Sequence, residues 1–290
     1  MDSWMYTLGS DTNKCGSSED STKKTCAIKR VTLLVDSRDR NYAQHPKPSQ
    51  YVITLPSVLY NVTSATLKSI ELPTTYHVFS TNRSNTTLVV SLDGVTQTVS
   101  VGDGNYSLTT MRTALQTALN DAFSPSTFAV SFDEVSGRCT ITASPSAPLT
   151  IDTTSVDPIK QPTQSCLAWF LGFPVGSLTT GAGTVTGVNP TNLNPETYIT
   201  IDIEELNGVQ QCGLWGAGGT QGAVFGKVPL AVQTGAYQVY DKLLATSEYI
   251  PAIAKLEKLH IALKWHDGSL VDFNNVEHSA TLELTCTQTR

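Results

Sequence analysis

Charge is scarce in this chain. Asp, Glu, Lys and Arg make up 15% of its 290 residues, well under the roughly 25% usual for soluble domains. There is no basic stripe. The formal net charge is -6, and the densest positive run is Lys23, Lys24, Lys29 and Arg30. Direct nucleic-acid binding needs a stronger footprint than that. No run reaches the roughly 18 apolar residues of a membrane span, and no early stretch resembles a signal peptide. The expectation is a soluble product made in the cytosol, without membrane insertion. The six cysteines, Cys15, Cys26, Cys139, Cys166, Cys212 and Cys286, form no CxxC pair, so the usual zinc spacing is missing. Free thiols are the expected state, and Cys15 with Cys26 keeps the option of closing a loop in an oxidising medium.

The usual signatures of chemistry are equally thin. Gly213 to Gly219 is glycine-rich but lacks the GxxxxGK[ST] spacing of a phosphate loop. The five histidines, His45, His77, His260, His266 and His278, include no HxH with a suitably placed downstream Glu or His. His266 and Asp267 lie near a turn, with Asp272 and His278 beyond it. A hydrolytic or metal site would require these to converge with a nucleophile or a third ligand. No catalytic residue, metal or cofactor is therefore expected. Sequons at Asn61, Asn82, Asn85 and Asn105 read as chance in a chain this rich in Thr and Ser.

What fills the gap is Thr, Ser, Gly and Asn, arranged in period-two patterns. Leu259, Ile261, Leu263 and Trp265 alternate with His260, Ala262 and Lys264. Asp267-Gly268 supplies a turn, and Leu282 and Leu284 then alternate with Thr281, Glu283 and Thr285. That is the mark of half-buried antiparallel strands with a reversal between them. Val31, Leu33 and Val35 open the first strand, and Tyr51 to Leu55 a second. Leu67, Ile70 and Leu72 form a core strand whose disturbed alternation predicts a bulge. Leu88 to Val99 reads as a hairpin about Asp93-Gly94. Phe128, Val130 and Phe132 are answered by Cys139, Ile141 and Ala143. Tyr198 to Ile203 alternates strictly, and Val224 to Leu230 completes a further strand. Tyr237 to Tyr249 is mixed and ends at Pro251. Cys139 and Cys286 sit in strands as small core hydrophobes.

One helix is clear: Ser107 caps it, and Met111, Leu115, Leu119 and Ala122 share a face. A further helical turn is expected between Gln164 and Leu171, ending at Gly172. With no βαβ rhythm, a parallel sheet is disfavoured. The predicted fold is all-β, a single jelly-roll sandwich of two antiparallel sheets with Greek-key connections. The expected organisation is an N-terminal arm over 1–30 and one jelly-roll domain over 31–290. Long loops are expected at 173–197 and 204–222. Within the arm, Trp4 and Tyr6 offer an aromatic anchor. Weakly charged surfaces of this kind suit proteins packed against neighbours, because burying a hydroxyl costs far less than burying an unpaired charge. They suit secreted β proteins as well.

Several short motifs occur in an order that carries a resemblance. They are Val35-Asp36-Ser37-Arg38-Asp39-Arg40, Ser69-Ile70-Glu71-Leu72-Pro73, Asp103-Gly104-Asn105-Tyr106-Ser107 and Leu171-Gly172-Phe173. Further on come Tyr249-Ile250-Pro251, Val271-Asp272-Phe273-Asn274, and His278-Ser279 leading to Leu282-Glu283-Leu284. Together they span most of 31–286. In this order they resemble the small jelly-roll capsid proteins of large icosahedral double-stranded DNA viruses, especially algal ones. The resemblance implies a structural capsid protein in the virion. Its first form is a penton closing the fivefold vertices as a homopentamer, beside major and minor capsid proteins. The alternatives are a minor (cement) protein beneath the major lattice, or a glycan-binding β-sandwich module. Arg38, Asp39 and Arg40 then become candidates for ion pairs between subunits, against the plainer reading of a salt-bridged internal turn.

Overall fold

The computed structural model describes residues 26–153, 166–194, 196–207, 212–215, 220–230, 236–242 and 245–289. Trp4, Tyr6 and Cys15 lie outside them. In chain order the strands are β1 (Cys26–Asp36), β2 (Gln50–Pro73), β3 (Thr87–Leu92), β4 (Val95–Ser100), β5 (Thr127–Phe132), β6 (Cys139–Ser144), β7 (Leu149–Asp152), β8 (Ser177–Thr180), β9 (Thr184–Thr186), β10 (Tyr198–Ile203), β11 (Cys212–Trp215), β12 (Thr220–Ala223), β13 (Gly226–Pro229), β14 (Tyr237–Tyr240), β15 (Ala245–Lys264) and β16 (Ser279–Thr289). The helices are α1 (Leu108–Ala122) and α2 (Leu167–Phe170). Every strand ladder among the described residues is antiparallel. The fold is thus mostly β with few short helices, consistent with the predicted jelly-roll sandwich. β1 begins at Cys26, so the last five residues of the segment read as arm belong to a strand.

The described residues fall into two compact units. One holds the chain up to Tyr76, Thr197 to Trp215, and 220 onward; the other is His77–Glu196. The first is built on a seven-stranded sheet in the order β1-β16-β2-β15-β10-β13, with β14 also pairing β2. β1 and β16 run in unbroken register from Cys26 opposite Thr289 to Asp36 opposite Ser279. Alternation decides which side is covered. Val31, Leu33, Val35, Leu282 and Leu284 are buried, whereas Leu34, on the other side of β1, is 47% exposed. Each fully buried Leu or Val contributes roughly 1.5–3 kcal/mol of transfer free energy. Trp265 caps this core, edge-on to Tyr76 at a ring separation of 5.1 Å.

Two details of this sheet depart from the sequence pattern. β15 runs on through Pro251 instead of ending there. Its register against β2 breaks between Glu248 and Ile253, so the proline falls where no ladder hydrogen bond is required of it. β15 and β16 also do not form a hairpin. Both pair antiparallel with β2, one on each side, and residues 265–278 carry the chain back across the sheet end. The bulge expected near Leu67 to Leu72 is present. Thr281 faces Ser69 and Leu282 faces Leu67, which leaves Lys68 as the extra residue.

In the second unit β4-β3-β7-β8 form one sheet and β5-β6-β9 another. The β3–β4 turn places Asp93 at φ 50° and Gly94 at φ 80°, the left-handed pair that a tight hairpin demands. Ser107 and Thr110 cap each other's backbone at the start of α1. Met111, Leu115 and Leu119 are fully buried, with α1 against β4 and β5. Cys166 caps the single turn α2 through its sulfur. Gly172 then sits at φ 86°, and an added Cβ would lie 2.0 Å from the Asn189 carbonyl oxygen. Segment 173–197 is not bare loop: β8 extends one sheet beside β7, and β9 the other beside β6. Their alternation is only three or four residues long, too short to read against the surrounding Gly and Thr. In the first unit, 204–222 likewise contains β11 and part of its hairpin partner β12.

Candidate assembly site

The turn after β1 holds two of the first unit's ion pairs, Arg38 with Asp36 and Arg40 with Glu277. Asp36 caps the short helical turn Ser37–Asp39, and its carboxylate takes two hydrogen bonds from Arg38 Nε, at 2.9 and 3.0 Å. Those bonds, set against partial burial, hold the Asp36 carboxyl below its ordinary range. Arg38 and Asp39 face solvent. Arg40 does not: it is 5% exposed. Its guanidinium donates to the carbonyls of His45 (2.9 Å), Ser37 (2.7 Å) and Pro46 (3.3 Å) and pairs with Glu277. It also lies 4.1 Å over the Tyr42 ring.

Glu277 is the hub that the sequence did not reveal, because it is 237 residues from Arg40 along the chain. Ser37 donates to it at 2.6 Å and Tyr42 at 3.3 Å. Burial works against its charge, but hydrogen bonds from Arg40 and Ser37 outweigh that and keep the carboxyl below its usual range. Its neighbour His278 closes the latch. The His278 amide donates to Ser37 Oγ, and the Ser37 amide to the His278 carbonyl, both at 2.9 Å. The imidazole is 3% exposed and packs between Tyr51 and Phe273. Nε2 lies 3.0 Å from the Pro48 carbonyl, so it carries the proton, and Nδ1 has no hydrogen-bond partner. Burial pushes the His278 pKa down to about 4. Of the three charged residues singled out in this turn, Arg40 therefore holds the turn together, while Arg38 and Asp39 remain on the surface. A groove of about 520 Å³ beside them is lined by Asp36, Arg38, Tyr237, Glu277 and Ser279.

The remaining candidates do not converge. His266 Nδ1 is bonded to Tyr198 Oη at 2.5 Å, and Asp267 accepts from Ser269. Asp272 accepts the Asn274 amide, and Asn274 in turn donates to the Thr75 carbonyl. That pair fixes the crossover into β16 rather than a hairpin. His260 is held by Glu205 at 2.5 Å, and Lys264 pairs with Asp202, beside a groove of about 300 Å³. Among the described residues no three His, Cys, Asp or Glu side chains are placed to hold a metal, and no helix is long and apolar enough to cross a membrane. Cys139, Cys166 and Cys286 are buried free thiols. Asn85 is fully buried, with its amide bonded to Val78 and Ser80, which removes that sequon as a glycan site.

The second unit presents a different surface. Pairing registers put Thr127, Ala129 and Ser131 of β5 beside Thr140, Thr142 and Ser144 of β6, then Thr184 and Thr186 of β9. These residues are exposed or half-buried, while Phe128, Val130, Ile141 and Val185 between them are buried. Across β4-β3-β7-β8 the solvent side is again Thr and Ser with one Val and one carboxylate, Asp152. Hydroxyls pair between strands: Thr140 with Thr186 at 3.0 Å, Thr142 with Thr184 at 3.2 Å, and Thr150 with Thr179 at 2.9 Å.

The architecture is therefore that of an antiparallel β protein whose polar clusters are internal latches. No protein-family description matches the chain, and no curated protein does. Solved structures that superpose on it include the crystal structure of selenomethionine-labelled mavirus penton protein. The identity is 12% and the TM-score 0.44, over 90% of this chain and 99% of that one. A superposition that loose assigns no function by itself.

Proposed function

We propose that this chain is a structural capsid protein of a large icosahedral double-stranded DNA virus, resident in the virion. The finer reading is a penton: a homopentamer at the fivefold vertex, flanked by major and minor capsid proteins. A minor protein beneath the major lattice is the alternative. The observation that supports the reading is where the charge sits. Arg40–Glu277, Arg83–Glu196 and Lys264–Asp202 are internal pairs, while whole strand faces of the second unit are hydroxyl and methyl. Such faces lose little on leaving water, as a shell subunit with neighbours on several sides requires. The ordered motifs between Val35 and Leu284 point the same way. In this reading Arg38 and Asp39 meet a neighbour, Arg40 keeps their turn in shape, and the arm uses Trp4 and Tyr6 as anchors.

The test is the protein content of particles purified on a density gradient and washed at high salt. The chain should stay with the particle at a fixed ratio to the major shell protein. Recovery in the soluble fraction alone would overturn the proposal. Removing 1–25, which spares β1, should leave a folded chain that enters particles less well; undiminished incorporation would dismiss the arm.

A further inference from the structure

We propose that residues 37–48 form a strap that mild acid releases from the first unit while its sheet stays paired, with His278 as the group that takes the proton. The release is a property of the single chain and does not rest on the capsid reading. Arg38 and Asp39 ride on the strap, so on that reading its release also loosens their contact with a neighbour.

The strap joins β1 to β2 and has no apolar hold on the unit. Between Arg38 and Lys47 only Arg40 is buried, while Tyr42, Ala43 and Pro46 are exposed. Apart from Arg38 to Asp36 at its root, every hydrogen bond and ion pair that ties the strap to another segment of the described residues ends on Asp272, Glu277 or His278. Glu277 accepts from Arg40, Ser37 and Tyr42. His278 exchanges two bonds with Ser37, and its Nε2 meets the Pro48 carbonyl. Asp272 lies 3.6 Å from Lys47, with both side chains in solvent. The remaining bonds close within the strap: Arg40 donates to the Ser37, His45 and Pro46 carbonyls, and the Asn41 side chain accepts from the Ala43 and Gln44 amides. A segment fixed by polar bonds to one short stretch can leave as a unit without opening a core.

The His278 ring is where acid acts. Nε2 already carries the proton given to Pro48, so a second proton must go to Nδ1, which has no partner. Against the ring stand Tyr51 of β2, whose hydroxyl burial keeps protonated, and Phe273, which has no charge to offer. The charges that reach it are Glu277 and Asp36, which favour the cation, and Arg40, which opposes it. Burial outweighs all three, so the closed strap excludes the proton. Once the strap leaves, the ring loses Pro48 and Ser37, meets water and accepts it. Glu277 and Asp36 are held below the usual carboxylate range while the strap is closed, and a freed carboxylate titrates near 4. Above about pH 5, therefore, only the imidazole changes charge at this latch.

Native-state amide hydrogen exchange of the full-length chain tests this, in urea too dilute to unfold it. The Ser37 and His278 amides report the latch, and amides along the β1–β16 ladder report the sheet. The latch amides should exchange faster than the ladder and with little dependence on urea, because a local opening exposes little surface. From pH 7 to 5, after correction for intrinsic exchange rates, their opening constant should rise about twentyfold, which follows from a pKa of 6.5 in the open form and about 4 in the closed one. His278→Gln should abolish the rise. Latch amides that share the ladder's urea dependence would overturn the strap. An opening constant indifferent to pH, or a rise that survives His278→Gln and is lost in His45→Gln, would overturn the role of His278. Should His278→Gln fail to fold, NMR titration of the wild-type imidazole decides: a folded-state His278 that titrates near 6.5 contradicts the proposal, and one still neutral at pH 5 bears it out.

Discussion

His278 should make the fold acid-sensitive well above the range in which carboxylates titrate. Its imidazole is buried between Tyr51 and Phe273, with Nε2 committed to the Pro48 carbonyl and Nδ1 unpartnered. A proton on Nδ1 would be an unpaired donor on a buried cation. The charged groups nearby are Glu277 and Asp36, which favour that cation, and Arg40, which opposes it; burial outweighs them and the pKa falls from 6.5 to about 4. The sign follows. Above about pH 6.5 the ring is neutral both folded and unfolded, and the full stability is present. As pH falls through 6.5 the unfolded chain takes the proton and the folded one does not, so stability is lost until about pH 4. A depression from 6.5 to about 4 corresponds to about 3 kcal/mol, of which about 2 kcal/mol is gone by pH 5. Urea denaturation from pH 7 to 4.5 measures this against His278→Gln, whose amide can still donate to Pro48 but does not titrate. The wild type should lose about 2 kcal/mol more than the variant across that range. Parallel pH dependences would refute the reasoning.

Three further substitutions probe the latches. Arg40→Ala takes the guanidinium away from the Glu277 carboxylate and three carbonyls and should cost about 3–5 kcal/mol in chemical denaturation; a cost near zero would mean the turn does not depend on it. Arg83→Met should cost about 3 kcal/mol by stranding Glu196, since both side chains are 9% exposed, and adding Glu196→Gln should restore part of it. Gly172→Ala forces a Cβ against Asn189 at a positive φ and should cost about 2 kcal/mol or more, visible as a lower melting temperature. An unchanged melt would mean that the backbone there shifts freely.

How much of this was legible in the sequence depends on the range of the interaction. Ser107 and the Met111–Leu115–Leu119 face announced α1 because capping and helical periodicity act within a few residues. Asp93-Gly94 announced its hairpin for the same reason. The alternation at Val31–Val35 and Leu282–Leu284 marked two strands that prove to be neighbours, but nothing in it said so. Local pattern failed where the fold overrode it. Pro251 sits in a strand because the register against β2 slips there. β8 and β9 exist because β7 and β6 offer them an edge. The charged turn after β1 was half legible. Arg38, Asp39 and Arg40 stood out as a charged run, but only the fold separates the buried cation from its exposed neighbours. Glu277 gave no signal at all, and His278 stood out only as a histidine near a turn and in a short motif, since their partners in the latch are more than 200 residues away.

The central claim is that copies of this chain close on one another as shell subunits. Native mass spectrometry of the purified full-length chain measures it directly. The account predicts a discrete assembly at five times the 31.2 kDa chain mass, strengthening with concentration and without an open-ended ladder of larger species. A chain that stays at its single mass at every concentration would contradict it.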